Sequence, residues 1–422
     1  MNSVHQPSEK GQAIVYLVLG IVVFFGFVAL AIDGGMVLAD RRNAQNASDA
    51  ASLAGGAAAG VYLKSQQPNS CEYAWSCGTN LVFYAEEAAE SRAVERAGTN
   101  NFSIDEDLSD HNGVATSCAD GDYEYIDVTV EISATTQSNF LQLVYPNALH
   151  NEVEAVTRVY PGGPLAFGNA IVALNSEVCS DPGSQGVIVG GSSTIAVSGG
   201  NIFSNGCLRQ NGDKMTVVIT DGVALGHELF NIRPDNWESP EPTTTGDSVL
   251  PSDYEIDQPS CSTAPAGHNI QGKDFPNILD EGLWCVTGDV TINQNSTVES
   301  TGGVTIVMLT GKFTINGPAD VNLTAPDSSH ADSTGTALYG ILLYVPATNS
   351  SPVLLNGNQT SVISGLIYAP KSAVTLTGTG GNTYDPSQVI AWDVELTGNS
   401  ELYLNYDSCS LYLRPPSIEL HR

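Results

Sequence analysis

The longest apolar run of the chain lies close to its start, where residues 13–32 read AIVYLVLGIVVFFGFVALAI without a charged side chain. At a rise of 1.5 Å per residue, such a helix spans a hydrocarbon core of about 30 Å. The run is long for a secretory signal peptide, and no A-x-A cleavage site with a polar mature start follows it. The pattern therefore predicts a transmembrane helix over residues 13–32, preceded by a short cytoplasmic leader, residues 1–12.

Small residues recur at spacings of three and four after this run, which indicates that the helix continues beyond the membrane. We expect it to end at the glycines of positions 55, 56 and 60. A stripe of small residues lets another helix approach closely. The partner is either a second helix of the same chain or another subunit, and the pattern favours neither. This alanine stripe consists of Ala44, Ala47, Ala51, Ala54 and Ala58.

Residues 33–160 are predicted to form a small α+β module. The segment FYAEEAAESRAVERA, residues 83–97, carries alanine and valine on one face and charges on the others, as an amphipathic helix does. The segment YEYIDVTVEISA, residues 123–134, alternates between apolar and polar positions and therefore predicts a strand. The apolar positions on one face of that strand are Ile126, Val128, Val130 and Ile132.

Residues 161–422 have a different pattern, with short β-prone runs separated by Gly, Asn and Ser. Similar phrases place glycines at 317, 357, 378 and 398, at spacings of 40, 21 and 20 residues. Units of about twenty residues with glycine corners favour a parallel β-solenoid, similar to a right-handed β-helix, in which each turn packs on the next. A β-sandwich is the alternative. Residues 232–260 are rich in proline and acidic residues, and we expect them to form an exposed loop.

The charge balance excludes one class of partner. Lysine and arginine number 15 against 46 acidic residues, which gives a formal net charge of −31. That field repels phosphate backbones, so nucleic acid is not expected as a partner. The low charged fraction of 14% and the 42 glycines are typical of a β-rich exported chain.

The eight cysteines are spaced for disulfides rather than for metal binding. No C-x-x-C pair occurs, and no cysteine has a histidine within four residues. Outside the cytoplasm, an even number of cysteines normally pairs. Among the 105 connectivities that eight cysteines permit, we favour Cys179 with Cys207 and Cys261 with Cys285, because each pair lies within one locally continuous region.

The N-terminal sequence carries a family resemblance. The phrases KGQAIVYL, AIDGG and RRNAQNASDAASLAGGAA resemble the N-terminal segment of Tad-type (Flp) pilus-assembly proteins of the TadE/TadG-like family. The resemblance continues less specifically to about residue 160, which implies that residues 33–160 are a pilin-like module. Phrases such as GGNIFSNGC and SGLIYAPKSAVTLTG also resemble the β-helical region of larger Tad-associated proteins. The matching N-terminal positions are Gly11, Asp33, Gly35, Gln45, Asp49, Ala50, Ala51, Leu53 and Ala54.

The resemblance implies a pilus-assembly protein with a candidate processing site at Gly11. Pilin-like members carry Glu five residues after the cleaved Gly, whereas this chain has Tyr16, which favours a TadG-like accessory protein over a pilin. Contacts with other pilus-assembly or membrane proteins are expected through Asp33, Gln45, Asp49 and four members of the alanine stripe. Those four members are Ala44, Ala47, Ala51 and Ala54.

Catalytic chemistry finds little support in the sequence, although parallel β-helices often host polysaccharide lyases and hydrolases. Between 274 and 413 only Lys312 and Lys371 are basic, too few to neutralise an acidic sugar in a lyase cleft. The segment HELFN, residues 227–231, lacks the second histidine of a zinc H-E-x-x-H motif. We therefore expect no catalytic residue, cofactor site or metal site. A hydrolase would use paired carboxylates, for which the candidates are Asp320, Asp385, Asp393 and Glu395.

Taken together, the sequence predicts a single-pass, non-catalytic component of a Tad-type pilus or related secretion apparatus. The short leader and the large, acidic, cysteine-bearing remainder place the N-terminus inside the cytoplasmic membrane and the bulk of the chain outside it. The alternative is a cell-surface adhesin or glycan-binding module that shares the anchor, with a surface glycan as its partner. A polysaccharide-degrading enzyme is the least favoured reading.

Overall fold

The structure is a computed structural model of the chain. The chain forms two compact units. Unit 1 comprises Met1–Gly162 and Pro415–Arg422, and unit 2 comprises Gly163–Arg414. The residues that the structure describes are 12–66, 75–121, 124–141, 147–165, 168–179, 185–238, 240–246, 254–327, 329–330, 332–357, 360–378, 382–398 and 400–421.

Both α-helices belong to unit 1. Helix α1 runs without a break over Gln12–Ser65, and α2 runs over Asn80–Thr99. The N-cap of α2 is Thr79, whose hydroxyl oxygen accepts a hydrogen bond from the backbone N–H of Val82. The helix predicted around residues 83–97 is therefore confirmed. The end expected for α1 at its glycines is wrong, because the helix passes through all three.

The strands are numbered in chain order. The first eight are β1 (Gly113–Asp120), β2 (Glu124–Thr136), β3 (Leu149–Tyr160), β4 (Gly163–Pro164), β5 (Asn169–Ala173), β6 (Gly186–Gly190), β7 (Thr194–Ser198) and β8 (Asn201–Asn211). The next nine are β9 (Thr216–Thr220), β10 (Ala224–Phe230), β11 (Trp237–Glu238), β12 (Thr243–Thr244), β13 (Asn269–Gln271), β14 (Ile278–Leu279), β15 (Gly282–Thr287), β16 (Val290–Ile292) and β17 (Thr297–Ser300). The last nine are β18 (Val304–Thr310), β19 (Phe313–Thr324), β20 (Ile341–Tyr344), β21 (Val353–Gly357), β22 (Val362–Gly378), β23 (Asn382–Gly398), β24 (Leu402–Asn405), β25 (Leu413–Arg414) and β26 (Ser417–His421).

Unit 1 is an antiparallel sheet packed against two helices. Its strands lie in the order β1-β2-β3-β26. The second half of α1 packs on α2, β2 and β3. The four apolar positions predicted for β2 are fully buried beneath the helices, so the alternation of that strand is confirmed.

The C-terminal tail corrects the domain boundary expected from the sequence. Residues 161–422 were assigned to one C-terminal domain, yet Pro415–Arg422 belongs to unit 1. Strand β26 pairs with β3, with Ile418 beside Val159 and Leu420 beside Thr157. Strand β3 would otherwise leave unpaired backbone groups at the edge of the sheet. Unit 2 is therefore an insertion between β3 and β26.

Unit 2 is mainly β, with a sheet of twenty strands in which every recorded pairing is parallel. Strand β22 pairs with β23 so that Leu376 lies beside Leu396 and Gly378 beside Gly398. The twenty-residue spacing of these glycines therefore corresponds to register in the sheet. Parallel pairing does not fit the antiparallel β-sandwich alternative.

The order of the strands in this sheet does not follow the order of the chain. Strand β5, the first of the sheet, lies between β8 on one side and β23 on the other. One ladder runs through β12-β10-β8-β5-β23-β22-β20-β18-β15-β13. The chain thus leaves β5 towards one end of the sheet, restarts at the other end with β13, and returns to β5 with β23.

The segment 232–260 is less exposed than the sequence suggested. Strands β11 and β12 lie within it and pair with β9 and β10. Trp237 is 5% exposed, Tyr254 is fully buried, and Ile256 is 4% exposed. Among the described residues of this segment, Trp237, Tyr254 and Ile256 are therefore part of the packing of unit 2.

Three disulfides are seen among the described residues. Cys179–Cys207 and Cys261–Cys285 are the two pairs that the sequence favoured. The third, Cys77–Cys118, lies in unit 1 and joins the residues before α2 to strand β1. No cysteine in the described part is free, which fits a chain that matures in an oxidising compartment.

Candidate membrane and partner surfaces of unit 1

The first half of α1 is an apolar helix with almost nothing packed on it. From Ile14 to Ile32 every side chain is exposed except Ala29, which is half-buried. Phe24, Phe25 and Leu30 are each more than 60% exposed. The helix is long and apolar enough to cross a membrane, and no residue of its most apolar stretch is buried. Such a surface is stable in lipid and not in water.

The second half of α1 is packed within unit 1, and the packing includes three of the four alanines expected at a partner interface. Ala44 and Ala51 are fully buried and Ala47 is 2% exposed. They share one core with an alanine face of α2, so the alanine stripe packs on the chain's own second helix. These three alanines are thus buried within unit 1, and the contact with another subunit expected of them stays a prediction. The alanine face of α2 consists of Ala85, Ala89, Ala93 and Ala97.

Two of the glycines expected to end α1 serve close packing instead. A Cβ atom on Gly55 would lie 2.8 Å from the backbone oxygen of Ala89, and one on Gly56 would lie 2.5 Å from Cγ2 of Thr157. Both positions are buried. Without side chains at these points, α1 approaches α2 on one side and β3 on the other. The glycines are retained for this contact at a cost in helix propensity.

Buried serines fasten α1 to the sheet, a contact that the sequence analysis missed. The Ser48 hydroxyl donates to the Val130 carbonyl at 2.7 Å, and the Thr157 hydroxyl donates to Ser52 Oγ at 3.0 Å. All three hydroxyl side chains are fully buried. Ser48 and Ser52 are four residues apart and lie on the face of the alanine stripe. That spacing was the signal that could have identified them.

Asp33 forms hydrogen bonds within the chain. It is 3% exposed, and its carboxylate accepts hydrogen bonds from the backbone N–H groups of Asn139, Phe140 and Leu141. These residues begin the connection from β2 to β3. About two turns further along α1, the Asp40 carboxylate accepts a hydrogen bond from the Thr136 hydroxyl at 2.7 Å. Asp33 thus holds the start of this connection against α1, and the partner contact expected of it stays a prediction.

Gln45 and Asp49 lie together at the edge of a groove. The Gln45 amide donates to Asp49 Oδ1 at 2.8 Å and to the backbone carbonyl of Glu154 at 3.1 Å. Both side chains are half-buried, and they line a groove of about 460 Å³ with residues of β3 and β26, including Glu154 and His421. Gln45 thus connects α1 to β3, and the half-buried Asp49 lines the groove beside it. Ala54 is also half-buried.

The carboxylates considered for hydrolysis connect neighbouring strands of unit 2. Asp320 accepts from the Thr360 hydroxyl at 2.7 Å, and Asp385 accepts from the Asn405 amide at 2.8 Å. Asp393 accepts from Asn175, at 2.9 Å. Burial raises the pKa of Asp393, against the opposing effect of this hydrogen bond. Asp320 lies within β19, and Asp385 and Asp393 lie within β23, so these contacts join neighbouring segments of unit 2.

The remaining sequence motifs are described only in part. His227 is exposed, and Glu228 accepts a hydrogen bond from the backbone N–H of Cys179 at 2.9 Å. Among the described residues, no group of three or more His, Cys, Asp or Glu side chains is arranged to hold a metal ion. The candidate processing site Gly11 lies outside the described residues, as do residues 1–10.

Comparison with known proteins supports the N-terminal resemblance. Residues 11–59 match the family model for putative Flp pilus-assembly proteins of the TadE/G-like type. The TadE/G-like segment covers the apolar half of α1 and most of its packed half, through the glycines that contact α2 and β3. It therefore includes Asp33, Gln45 and Asp49. No curated protein matches the chain.

Two solved structures are distantly similar to the chain. A domain of ice-binding protein 1 from Shewanella frigidimarina is 11% identical, with a TM-score of 0.30, and the match covers 52% of this chain and 93% of that one. The competence-associated pilin ComZ from Thermus thermophilus is 12% identical, with a TM-score of 0.21, and the match covers 75% of this chain and 87% of that one. Neither likeness carries weight for the fold or the function of this chain.

Proposed function

We propose that the chain is a membrane-anchored structural or assembly component of a Tad-type (Flp) pilus or related secretion apparatus. The observation that carries the proposal is the position of the TadE/G-like segment. Residues 11–59 coincide with a helix whose first half is bare and apolar and whose second half builds the core of unit 1. The function of this segment is thus to anchor a folded unit at a membrane, and the proposal assigns no catalytic step to it.

The N-terminus lies on the cytoplasmic side and both units lie outside the cytoplasmic membrane. Support comes from the disulfides of both units, Cys77–Cys118 in unit 1 and Cys179–Cys207 and Cys261–Cys285 in unit 2. Such bonds persist in oxidising compartments and are rare in the cytosol. The anchor is a single span, since one helix in the described part is suited to cross a membrane.

Unit 2 is a parallel β-solenoid displayed by this anchor. Support comes from parallel pairs between strands about one repeat apart in the sequence, such as Leu376 with Leu396 and Ile195 with Val217. Repeats that stack in this way form an extended scaffold in which each unit contacts its neighbours. In the proposed function, unit 2 presents its surface to other components of the apparatus.

Partner subunits contact unit 1 at the groove beside Gln45 and Asp49, with Ala54 at its margin. Support comes from the half-buried, polar character of the two residues inside the matched segment. The test is to purify the tagged full-length chain from membranes of its own host after cross-linking. Mass spectrometry of the bound proteins should then identify other Flp pilus-assembly proteins.

Two substitutions of Asp49 separate its charge from its hydrogen bond. Asp49→Asn keeps an acceptor for Gln45 and removes the charge, whereas Asp49→Lys reverses the charge. We expect Asp49→Lys to lose the cross-linked partners and the charge-matched Glu106→Lys, at an exposed loop position, to retain them. Circular dichroism of each variant reports whether unit 1 remains folded. Unchanged partners in Asp49→Lys would contradict the proposed interface, and the absence of pilus-assembly proteins from the wild type would contradict the function.

The alternative function, a glycan-binding adhesin, lacks a specific supporting observation. Carbohydrate recognition of the predicted kind requires a row of exposed aromatic side chains. Among the described residues of unit 2, Tyr403 is the single exposed aromatic residue, with an exposed fraction of 42%. Trp392 is half-buried, with the Lys371 ammonium 4.1 Å from its ring centre. We therefore retain the assembly role as the proposal.

A further inference from the structure

The described start of the connection that follows β2, residues 139–141, lies beside the apolar half of α1. Phe140 is 44% exposed and Leu141 is half-buried. With Leu149, at the start of β3, they face a groove of about 720 Å³ whose other wall is α1. The wall residues on α1 extend from Val22 to Val37. The twelve residues from Val22 to Asp33 cover about 16 Å of helix, so the groove extends well below Asp33 into the predicted span.

The groove is open and almost wholly apolar. On α1 it is lined by small residues, Gly26, Ala29 and Gly34, between larger apolar ones. A Cβ atom added at Gly26 or at Gly34 would meet nothing within 4 Å. The surface is continuous with the exposed apolar side chains of residues 14–32. Whatever surrounds that half of the helix therefore also fills the groove, and for a membrane span this is lipid.

Asp33 is the polar group that makes this placement stable. Its carboxylate accepts the backbone N–H groups of Asn139, Phe140 and Leu141 at distances between 2.5 and 3.0 Å. In water these donors would be satisfied by solvent, but in hydrocarbon each unpaired backbone group costs several kcal/mol. An unpaired aspartate at the edge of a span is costly for the same reason. The arrangement removes both costs at once, and its advantage is largest where water is scarce.

We propose that Phe140 and Leu141 form a second lipid contact of unit 1, in the interfacial region of the bilayer, and that Asp33 is the positioning residue that holds them there. The inference rests on the membrane anchoring in the proposed function and adds a lipid-binding surface to it. The contact fixes the orientation of unit 1 against the bilayer. A single helical span alone would leave unit 1 free to tilt and rotate.

The test uses tryptophan fluorescence of the full-length chain in lipid vesicles that carry a spin-label quencher. The label is attached to the acyl chain either near the headgroup or near the chain end. The signal of the four native tryptophans is subtracted by comparison with the wild type. Phe140→Trp reports the proposed contact, and Phe24→Trp reports the span. Phe83→Trp, at the start of α2, is the matched exposed aromatic control at 59% exposure.

The proposal expects Phe140→Trp to be quenched most by the label near the headgroup, and Phe83→Trp to be quenched by neither label. Adding Asp33→Ala to Phe140→Trp should reduce that quenching, whereas adding Asp40→Ala, which removes one side-chain contact, should reduce it less. If Phe24→Trp is quenched and Phe140→Trp is not, the lipid contact is overturned while the anchor stands. If neither is quenched, the anchor fails and the proposal fails with it.

Discussion

The two halves of helix α1 share one backbone and have opposite surroundings. From Ile14 to Ile32 large apolar side chains project outward and remain exposed, whereas from Ala44 to Ala59 one face of alanine, glycine and serine is buried against α2 and the sheet. The first half carries no charged side chain, whereas the second half includes Arg41, Arg42 and Asp49. Side-chain size also differs between the two halves. Large side chains maximise contact with lipid, and small ones let a neighbouring backbone approach.

The first half should be the more sensitive to charge. At the centre of a span each arginine costs about 2.5 to 3.5 kcal/mol, so Leu19→Arg with Phe24→Arg should abolish membrane integration. In the second half, Val61→Arg replaces a side chain that is 70% exposed and should change stability by no more than about 0.5 kcal/mol. Alkaline extraction of membranes measures retention of each variant. Equal retention of the double variant and of Val61→Arg would remove the distinction between the halves.

The second half should be the more sensitive to added volume. Gly56→Ala introduces a Cβ atom 2.5 Å from Thr157 Cγ2 and should destabilise unit 1 by about 1 to 3 kcal/mol. At Gly60 the nearest atom to an added Cβ is 3.7 Å away, so Gly60→Ala should gain up to about 1 kcal/mol from helix propensity. Thermal unfolding in detergent, followed by circular dichroism, measures both. A shift of the same sign for both glycines would show that close packing does not explain Gly56.

No pH dependence is expected from the bare half of α1, because it carries no carboxylate or histidine, and the dependence should arise from the folded part of unit 1. In α2, burial and then the charge of Glu90 raise the pKa of Glu86. Such a carboxyl group favours folding below its ordinary pKa, and this contribution is lost as the pH rises through the raised value. Glu86→Gln should therefore stabilise unit 1 at neutral pH by about 0.2 to 0.5 kcal/mol. In unfolding curves measured against pH, the gain should disappear under acid conditions. A gain independent of pH would contradict the assignment.

The smallest expected effect concerns His111, which is largely exposed. Its hydrogen bond to Glu131, at 2.8 Å, and then the charge of Glu152 raise the pKa of the imidazole. The contribution to folding is therefore present below the ordinary histidine pKa and is lost as the pH rises through the raised value. Glu131→Gln should move the pKa of His111 back towards its ordinary value in an NMR titration. An unchanged titration would show that this pair does not interact in solution.

Local patterns in the sequence predicted the elements better than their assembly. The apolar run, the alternation around Ile126 and Val130, and the two disulfides of unit 2 were all recognisable from neighbouring residues. The function of Gly56 was not, because helix propensity treats glycine as a helix terminator and the reason for its presence is Thr157, a hundred residues away. Asp33 likewise was expected to contact a partner protein. Its hydrogen-bond donors, such as the backbone N–H of Phe140, could not be predicted because they are also distant in the sequence.

The larger errors concern the order in which segments meet. Repeats within β19 to β24 predicted parallel neighbours, but no local signal indicates that β23 pairs with β5. The tail from Ser417 to His421, SIELH, alternates between polar and apolar residues, but five residues do not indicate which strand they pair with. It is placed by the open edge of β3. Contacts of this kind depend on surfaces that exist only after other segments have folded.

The central claim is that one helix passes from lipid into a folded unit outside the cytoplasm. The most direct measurement is protease accessibility of an epitope tag fused after Arg422, compared with a tag placed before Met1, in intact spheroplasts. The account predicts that the C-terminal tag is removed from intact spheroplasts and that the N-terminal tag is removed only after lysis. A C-terminal tag that is protected until lysis would contradict the account.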